Sequence, residues 1–231
     1  MGLIINPYRF VYETLPPVSG YIGWWDSSKL STITKDGGDL VSQWDDRSGN
    51  GNHLTQATGA SKPLWVNSVY NGKATIRFDG ADDTITRTTF TQGTLSLPVM
   101  IFTMIKYPTT EPDTIFSSAS ASPLSMNVQK SGGINYMYSG SWVDVGAVTA
   151  GFAQFTHLFN NTTSAVRRNG ANINTGLNTG NNSVIGLSLA SQTTNANFAD
   201  TDICEVLIYN SNLSNTDRDS VEAYLTAKWV A

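Results

Sequence analysis

The chain has 231 residues, of which 14% are charged, and its formal net charge is −4. This length fits a single domain with a sizeable core, and the small negative charge gives no electrostatic reason to bind a polyanion, so nucleic acid is not an expected partner. No segment reaches the roughly 18 apolar residues of a membrane span, which argues against a membrane protein. Cys204, the one cysteine, lies in an apolar run and is expected to be a buried thiol.

Residues 1–18 are predicted to form an extended arm, because Pro7, Pro16 and Pro17 disfavour a helix. The arm's apolar side chains form a strip that suits contact with either the domain itself or another subunit. They include Leu3, Ile4, Ile5, Tyr8 and Phe10. No basic stretch precedes a long apolar run here, so we expect synthesis in the cytoplasm without a visible export signal. Residues 19–231 are expected to form one domain.

A loop rich in glycine and asparagine follows Trp44, within the sequence WDDRSGNGNHLTQ of residues 44–56. Its composition favours positive φ angles and hydrogen bonds from side chains to the backbone. Asp45, Asp46 and Asn50 offer the hard oxygen ligands that calcium prefers. The alternative is that Asp45 or Asp46 caps the turn or pairs with Arg47. Asp79, Asp82 and Asp83 form a second acidic group and offer another set of carboxylate ligands for calcium.

Short β-strands are predicted at regular spacing along most of the remaining chain. They cover residues 74–78, 99–107, 135–145, 164–173, 182–189 and 202–210. The second and the last of these are apolar on both faces, as expected for interior strands. Asn169-Gly170 predicts a tight hairpin turn.

Three aromatic residues alternate with other residues in the predicted strand 135–145: Tyr136, Tyr138 and Trp142. In a single regular strand they would share one face. An exposed aromatic face stacks on the apolar side of a sugar ring, so these residues are candidates for glycan binding. The alternative is that the same face belongs to the core.

The chain is predicted to end in a short amphipathic helix. Ser214 suits the N-cap, with Asp217 three residues later, and Val221, Leu225 and Trp229 follow at helical spacing. This apolar stripe is expected to dock on the parent domain.

Recognised catalytic patterns are not evident in the sequence, and we expect no enzymatic activity. A glycosidase needs two carboxylates roughly 5 to 10 Å apart. Asp202 and Glu205 are three positions apart, which would put them on opposite faces of a strand. His157 lies in a predicted strand and is expected to be packed there rather than catalytic.

Three segments occur in order: Trp25-Asp26 with the sequence of residues 44–56, ATIRFDG at residues 74–80, and EVLIYNSNLSNTDRDSVEAYLTAKW at residues 205–229. Together they resemble the laminin-G-like, concanavalin A-like jelly-roll domains of phage particles and bacterial surface proteins. The resemblance implies an all-β, two-sheet antiparallel jelly-roll sandwich. It also implies recognition of glycans or proteins, or structural display, and some members of the family hold calcium.

The leading hypothesis is a non-enzymatic phage virion protein, decorating the capsid or associated with the tail. The arm would dock on other virion proteins, the sandwich would contact host glycans, and the protein would form a homo-oligomer. Calcium is the one cofactor considered. One alternative is a carbohydrate-binding module of a bacterial surface or secreted protein, and another is a polysaccharide hydrolase or lyase.

Overall fold

The computed structural model describes residues 14–108, 113–119, 126–192 and 196–230. In that part of the chain, seventeen strands form two sheets, and one α-helix follows the last strand. The strands are β1 Tyr21–Asp26, β2 Ile33–Lys35, β3 Val41–Trp44, β4 Leu54–Thr55, β5 Leu64–Tyr70, β6 Lys73–Asp79, β7 Ile85–Arg87, β8 Val99–Tyr107, β9 Asp113–Ser117, β10 Asn127–Ser131, β11 Ile134–Tyr138, β12 Trp142–Gly146, β13 Gly151–Phe159, β14 Ser164–Arg168, β15 Ala171–Leu177, β16 Leu187–Leu189 and β17 Asp200–Tyr209. The helix, α1, is Asn215–Trp229, and 3-10 turns lie at Leu30–Thr32, Gly59–Ser61 and Asn161–Thr163.

The two sheets are antiparallel. Sheet A has the strand order β15-β14-β13-β8-β17-β6-β5, and β1 pairs with the second half of β17. Sheet B has the order β12-β11-β10-β9-β16-β7-β4-β3-β2. The hairpin predicted at Asn169-Gly170 is confirmed: it joins β14 to β15, and both residues have positive φ, 49° and 78°.

The main core lies between the two sheets. Strands with alternating pattern direct one set of side chains inward, such as Ile76 and Phe78 of β6, and both are fully buried. Trp25 from sheet A and Trp44 from sheet B lie in this same layer. Full burial of one large apolar side chain contributes about 1.5–3 kcal/mol, so each of these residues stabilises the contact between the sheets. The predicted all-β, two-sheet antiparallel sandwich with a C-terminal helix is confirmed.

A second apolar layer lies between sheet A and α1. Outward side chains of β8 and β17, such as Phe102 and Leu207, pack with Val221, Leu225 and Trp229 of the helix. These two strands are therefore apolar on both faces, and the predicted docking of the helix on its own domain is confirmed. Among the described residues, no helix covers the outer face of sheet B. Nor does this part of the chain contain a helix of the length and apolarity that crossing a bilayer requires.

The last residues of the predicted arm lie against this same domain. Pro16 is buried, Val18 packs beside the second apolar layer, and the carbonyl of Val18 accepts a hydrogen bond from the Tyr209 hydroxyl at 2.8 Å. The remainder of the arm, residues 1–13 with the apolar strip, lies outside the described residues.

The single strand predicted for residues 135–145 is wrong, because the chain forms a hairpin there. β11 ends at Tyr138 and β12 begins at Trp142, and Gly140 in the turn has φ 113°. The turn-forming residues Ser139 to Ser141 interrupt the alternation of apolar and polar residues. Tyr138 and Trp142 consequently become cross-strand partners instead of neighbours along one strand.

The expectation that Asp202 and Glu205 lie on opposite faces is also wrong. The pairing of β17 with β8 shifts register between Ile203 and Glu205, which marks a β-bulge. Ile203 and Val206 both point into the main core, whereas Cys204 packs in the second layer. The bulge therefore turns Asp202 and Glu205 toward the same outer face of sheet A.

Candidate functional site

Three aromatic side chains converge on the outer face of sheet B, and we call Tyr136, Tyr138 and Trp142 the aromatic platform. The Trp142 ring meets Tyr138 at 4.9 Å between centroids and Tyr136 edge-on at 6.3 Å. Met137, between the two tyrosines, points the other way and is fully buried in the main core. The structure thus brings together the three residues predicted from sequence and places them outside the core.

Trp142 differs from the other tryptophans in its exposure. All six tryptophans lie within the described residues, and four of them, Trp24, Trp25, Trp44 and Trp229, are buried. Trp142 is 47% exposed, and its ring contacts two further partly exposed rings. Single exposed apolar residues are common on protein surfaces, but a group of contacting aromatic rings is characteristic of a binding site.

A shallow cleft of about 210 Å³ lies beside the platform, lined by Gln129, Ser131, Tyr136 and Trp142. Gln129 is the cross-strand partner of Tyr136, so its amide lies on the same face of the sheet. Aromatic rings next to amide and hydroxyl groups suit a sugar, which has apolar C–H faces and hydroxyl edges. Gln129 and Ser131 were not predicted from the sequence, because only the pairing of β10 with β11 places them beside the platform.

The loop after Trp44 is built around the buried Asp46 carboxylate. Its Oδ1 accepts hydrogen bonds from the backbone N–H groups of Trp24 and Ser48, at 3.0 and 2.8 Å. Its Oδ2 accepts from the Ser48 hydroxyl and from the Asn52 backbone, at 2.6 and 2.9 Å. Asp46 is therefore a cap for the turn, which is one of the two roles considered for it.

Asn50 and Asp45 do not join Asp46 around a common position. Asn50 directs its amide nitrogen to the carbonyl oxygens of Tyr21 and Ile22, both at 3.0 Å, whereas Asp45 accepts from Gln43 at 2.7 Å. These contacts make the three side chains part of a hydrogen-bonded corner, and calcium binding at Asp45, Asp46 and Asn50 stays a prediction. Arg47 pairs with Asp26 at 2.8 Å.

The acidic turn after β6 gathers carboxylate oxygens more closely. One oxygen each from Asp79, Asp82 and Asp83 lies within 4.8 Å of the others. Burial, together with the nearby Asp79 charge, raises the pKa of Asp83 to about 7. Carboxylate oxygens suit calcium, but a full site needs six to eight oxygen ligands. Calcium binding at this turn stays a prediction.

A buried ionic cluster under α1 joins Asp26 of β1 to Glu205 of β17 through Lys228. The Lys228 ammonium group lies 2.7 Å from a carboxylate oxygen of Asp26 and 2.7 Å from one of Glu205. Glu205 also accepts hydrogen bonds from Trp24 Nε1, Trp229 Nε1 and the Tyr224 hydroxyl, at 2.7, 2.6 and 2.8 Å. Burial raises the pKa of Glu205, and the adjacent Lys228 charge opposes this shift. These contacts hold the helix on the sandwich, so the cluster has a structural role.

His157 lies in the main core between Phe116 and Phe155, with ring centroids 5.2 and 5.9 Å away. Burial lowers the pKa of His157 to about 3, so the imidazole is neutral at ordinary pH. It is packed, as expected, and does not face an open site. Glu222 is also buried, where it accepts from Arg167 at 2.9 Å and from Thr156 at 2.6 Å.

No family model and no curated protein sequence matches the chain. Solved structures do share its fold. The Trypanosoma rangeli sialidase in complex with sialic acid is 10% identical, with a TM-score of 0.64 over 93% of this chain. An arabinofuranosidase complexed with arabinofuranosyl-α-1,2-xylobiose is 13% identical, with a TM-score of 0.65 over 92% of this chain. An α-L-arabinofuranosidase soaked with a cyclic sulfate inhibitor is likewise 13% identical, with a TM-score of 0.64.

The chain spans only part of these proteins, 34% of the sialidase and 60% of the arabinofuranosidase. At these identities the similarity establishes the β-sandwich fold and nothing about activity.

Proposed function

We propose that this chain is a non-enzymatic carbohydrate-recognition domain of the laminin-G-like jelly-roll type, and that it binds sugars on the aromatic platform. The observation that carries the proposal is the contact of three exposed or partly exposed rings beside a cleft that Gln129 and Ser131 also line. The platform lies on the outer face of sheet B, whereas α1 covers the outer face of sheet A. A ligand can therefore approach it from solvent.

The solved structures with this fold support sugars as the ligand class. One of them holds sialic acid and another an arabinofuranosyl-xylobiose. These ligands belong to those proteins, and the identity of 10–13% transfers no binding residue to this chain. They do favour the carbohydrate-binding alternative over a domain used for display alone.

The carboxylates near the platform support binding without cleavage. Within β10, β11 and β12, all fully described, Asp144 is the one acidic residue. Hydrolysis of a glycosidic bond by the common mechanisms requires two carboxyl groups on either side of the bond. Glu205 and Glu222 are buried in ion pairs elsewhere.

A glycan array followed by titration with the best oligosaccharide tests the proposal. Trp142→Ala removes the most exposed ring, and we expect affinity to fall at least about fivefold, since one stacked aromatic ring contributes on the order of 1–3 kcal/mol. Leu30→Ala, at another exposed apolar side chain, is the control and should bind as the wild type does. The proposal would be abandoned if no glycan bound, or if Trp142→Ala bound unchanged.

A phage virion is one setting in which such a domain would act. In that hypothesis the arm docks on capsid or tail proteins, and a homo-oligomer presents several platforms to host glycans, which adds avidity. The motivation is the apolar strip Leu3, Ile4, Ile5, Tyr8 and Phe10. Removing residues 1–13 and measuring incorporation into particles tests it, because normal incorporation would rule out a docking role for this strip.

A further inference from the structure

The outer face of sheet B carries a continuous row of polar and aromatic residues that ends at the platform. Each residue in the row is the cross-strand partner of the next: Thr86, Ser188, Ser117, Asn127, Tyr138 and Trp142. The neighbours Leu189, Phe116, Val128 and Met137 form a parallel row in the main core. Because direct partners share a face, the polar row lies on the face that bears the platform.

In the middle of this row, the hydroxyl groups form hydrogen bonds with other groups of the protein. The Ser188 hydroxyl lies 2.9 Å from the Thr86 hydroxyl and 3.1 Å from the Ser191 hydroxyl. The Ser117 hydroxyl donates to the Ser191 carbonyl at 3.0 Å. Burial of these hydroxyls is therefore explained by their hydrogen bonds.

Nearer the platform, two buried side chains, Asn127 and Thr114, have polar atoms without a hydrogen-bond partner. Asn127 is fully buried, yet neither its amide nitrogen nor its amide oxygen has a hydrogen-bond partner. Thr114 is also fully buried, and its hydroxyl likewise lacks a partner. Buried polar groups are almost always hydrogen-bonded, because an unpaired one retains the whole cost of its desolvation. Two such side chains on one face of a sheet call for an explanation.

Both side chains are placed directly beside the platform. Asn127 is the cross-strand partner of Tyr138, which pairs with Trp142. Thr114 pairs with Gln129, and Gln129 pairs with Tyr136. Adjacent strands are about 4.8 Å apart, so Asn127 lies roughly 10 Å from the strand of Trp142, within the span of a short oligosaccharide.

We infer that Asn127 and Thr114 are the hydroxyl-reading residues of the carbohydrate site, an inference that rests on the proposed function. An amide presents one donor and one acceptor side by side, which matches two adjacent hydroxyl groups of a sugar ring. Both side chains are closed to solvent in this structure. The inference therefore requires that the Tyr138 side chain, which lies between Asn127 and Trp142 in the row, moves aside when a sugar stacks on Trp142. The unpaired atoms are then satisfied by the ligand.

The charge on the outer face of sheet B distinguishes between neutral and anionic sugars as ligands. Thr114, Gln129, Tyr136 and Asp144 form a second row of partners, and Asp144 is the one acidic side chain in the two rows, which contain no lysine, arginine or histidine. An anionic sugar would meet this carboxylate without a cation from either row. We therefore expect the ligand to be a neutral sugar with vicinal hydroxyls rather than a sialic or uronic acid.

The test is calorimetric titration of the wild type with neutral xylo-, gluco- and galacto-oligosaccharides and with sialyl-lactose. Asn127→Leu and the nearly isosteric Thr114→Val are then compared on the tightest ligand, together with urea denaturation of each protein. We expect each variant to bind at least tenfold more weakly, with an unfolding midpoint equal to or above that of the wild type. A purely structural asparagine or threonine would give the opposite, lower stability with unchanged affinity.

Each other outcome is also decisive. If Trp142→Ala weakens binding but neither Asn127→Leu nor Thr114→Val does, the hydroxyl-reading role is wrong and the proposed function stands. Binding of sialyl-lactose alone would overturn the neutral class. If the wild type binds none of these sugars, the inference and the proposed function both fail. Should Asn127→Leu not fold, Thr114→Val carries the test.

Discussion

Lys228 places one ammonium group between two fully buried carboxylates, Asp26 and Glu205. Replacing it by methionine would keep the aliphatic stem but leave the buried Glu205 carboxylate without this cation, while Asp26 would keep its pair with Arg47. Breaking a buried ion pair from one side typically costs about 3–5 kcal/mol. We therefore expect Lys228→Met to lower the free energy of unfolding by that amount, measured by urea denaturation.

Lys62→Met is the matched control, because Lys62 is a partly exposed lysine on the loop before β5. It should change the free energy of unfolding by less than about 1 kcal/mol, the usual range for a surface charge. Equal effects of the two substitutions would show that the buried cluster does not hold α1 on the sandwich.

His157 predicts a pH dependence of stability. Its pKa is about 3 in the folded protein and 6.5 in the unfolded chain. Between these values the unfolded chain binds a proton that the folded protein does not, so stability falls as pH drops below 6.5. By pH 4.5 this residue alone should have cost about 3 kcal/mol. His157→Phe should lose less stability between pH 7.5 and 4.5 than the wild type, as measured by urea denaturation.

Phe116→Leu serves as the control for this pH series, since Phe116 contacts the imidazole but does not titrate. It should lower stability by a similar amount at both pH values. If His157→Phe and Phe116→Leu showed the same loss between pH 7.5 and 4.5, the imidazole would not be a source of acid sensitivity.

At this scale the sequence predicted residue roles best where the chemistry is local. Asp46 caps the turn that follows it, and Ser214 caps α1, because each partner lies within a few residues. The partners of Glu205 come from residues up to 181 positions away, so no local pattern indicates them. Asn127 and Thr114 were missed for the same reason, since strand pairing alone places them beside the platform.

Among the elements, α1 begins with an N-cap in which the Ser214 hydroxyl makes two hydrogen bonds to Asp217. The Ser214 hydroxyl accepts from the Asp217 backbone N–H at 3.1 Å and donates to the Asp217 carboxylate at 2.7 Å. Ser214→Ala would leave the N–H group without this partner, and we expect a loss of about 1 kcal/mol, measured by thermal or urea denaturation. Ser220→Ala, in the interior of the same helix, should be neutral or slightly stabilising because alanine is the better helix former. A loss at Ser220 equal to that at Ser214 would contradict the capping role.

The elements that sequence patterns predicted correctly are those with a strong local signal. The strands that are apolar on both faces and the Asn169-Gly170 hairpin are examples. Burial on both faces requires a continuous apolar run, and a turn with positive φ favours asparagine and glycine, so both are visible in the sequence. The hairpin of β11 and β12 was predicted as one strand, since Ser139 to Ser141 is a weaker turn signal between two alternating runs. The bulge in β17 was missed because an extra residue between Ile203 and Val206 looks the same in sequence as a regular strand.

In the molecule as a whole, the strands of sheet A separate two apolar layers, one between the two sheets and one between sheet A and α1. β8 and β17 contribute Ile101 and Val206 to the layer between the sheets, and Phe102 and Leu207 to the layer under α1. Loss of the helix would expose the outer side chains of both strands to water. We therefore expect the helix and the sandwich to unfold in one transition rather than separately.

Leu225→Ala tests this coupling, because Leu225 is fully buried under the helix and far in the fold from sheet B. A leucine-to-alanine change in a core costs about 2–5 kcal/mol. Hydrogen exchange in low urea should show that loss equally for peptides containing α1 and for peptides containing β3, whose Trp44 lies in the other layer. Val230→Ala, at an exposed apolar side chain, should leave both peptides unchanged. Faster exchange confined to α1 would mean that the helix detaches on its own. The buried ionic cluster would then stabilise only the attachment of α1, and the molecule would not unfold as a single cooperative unit.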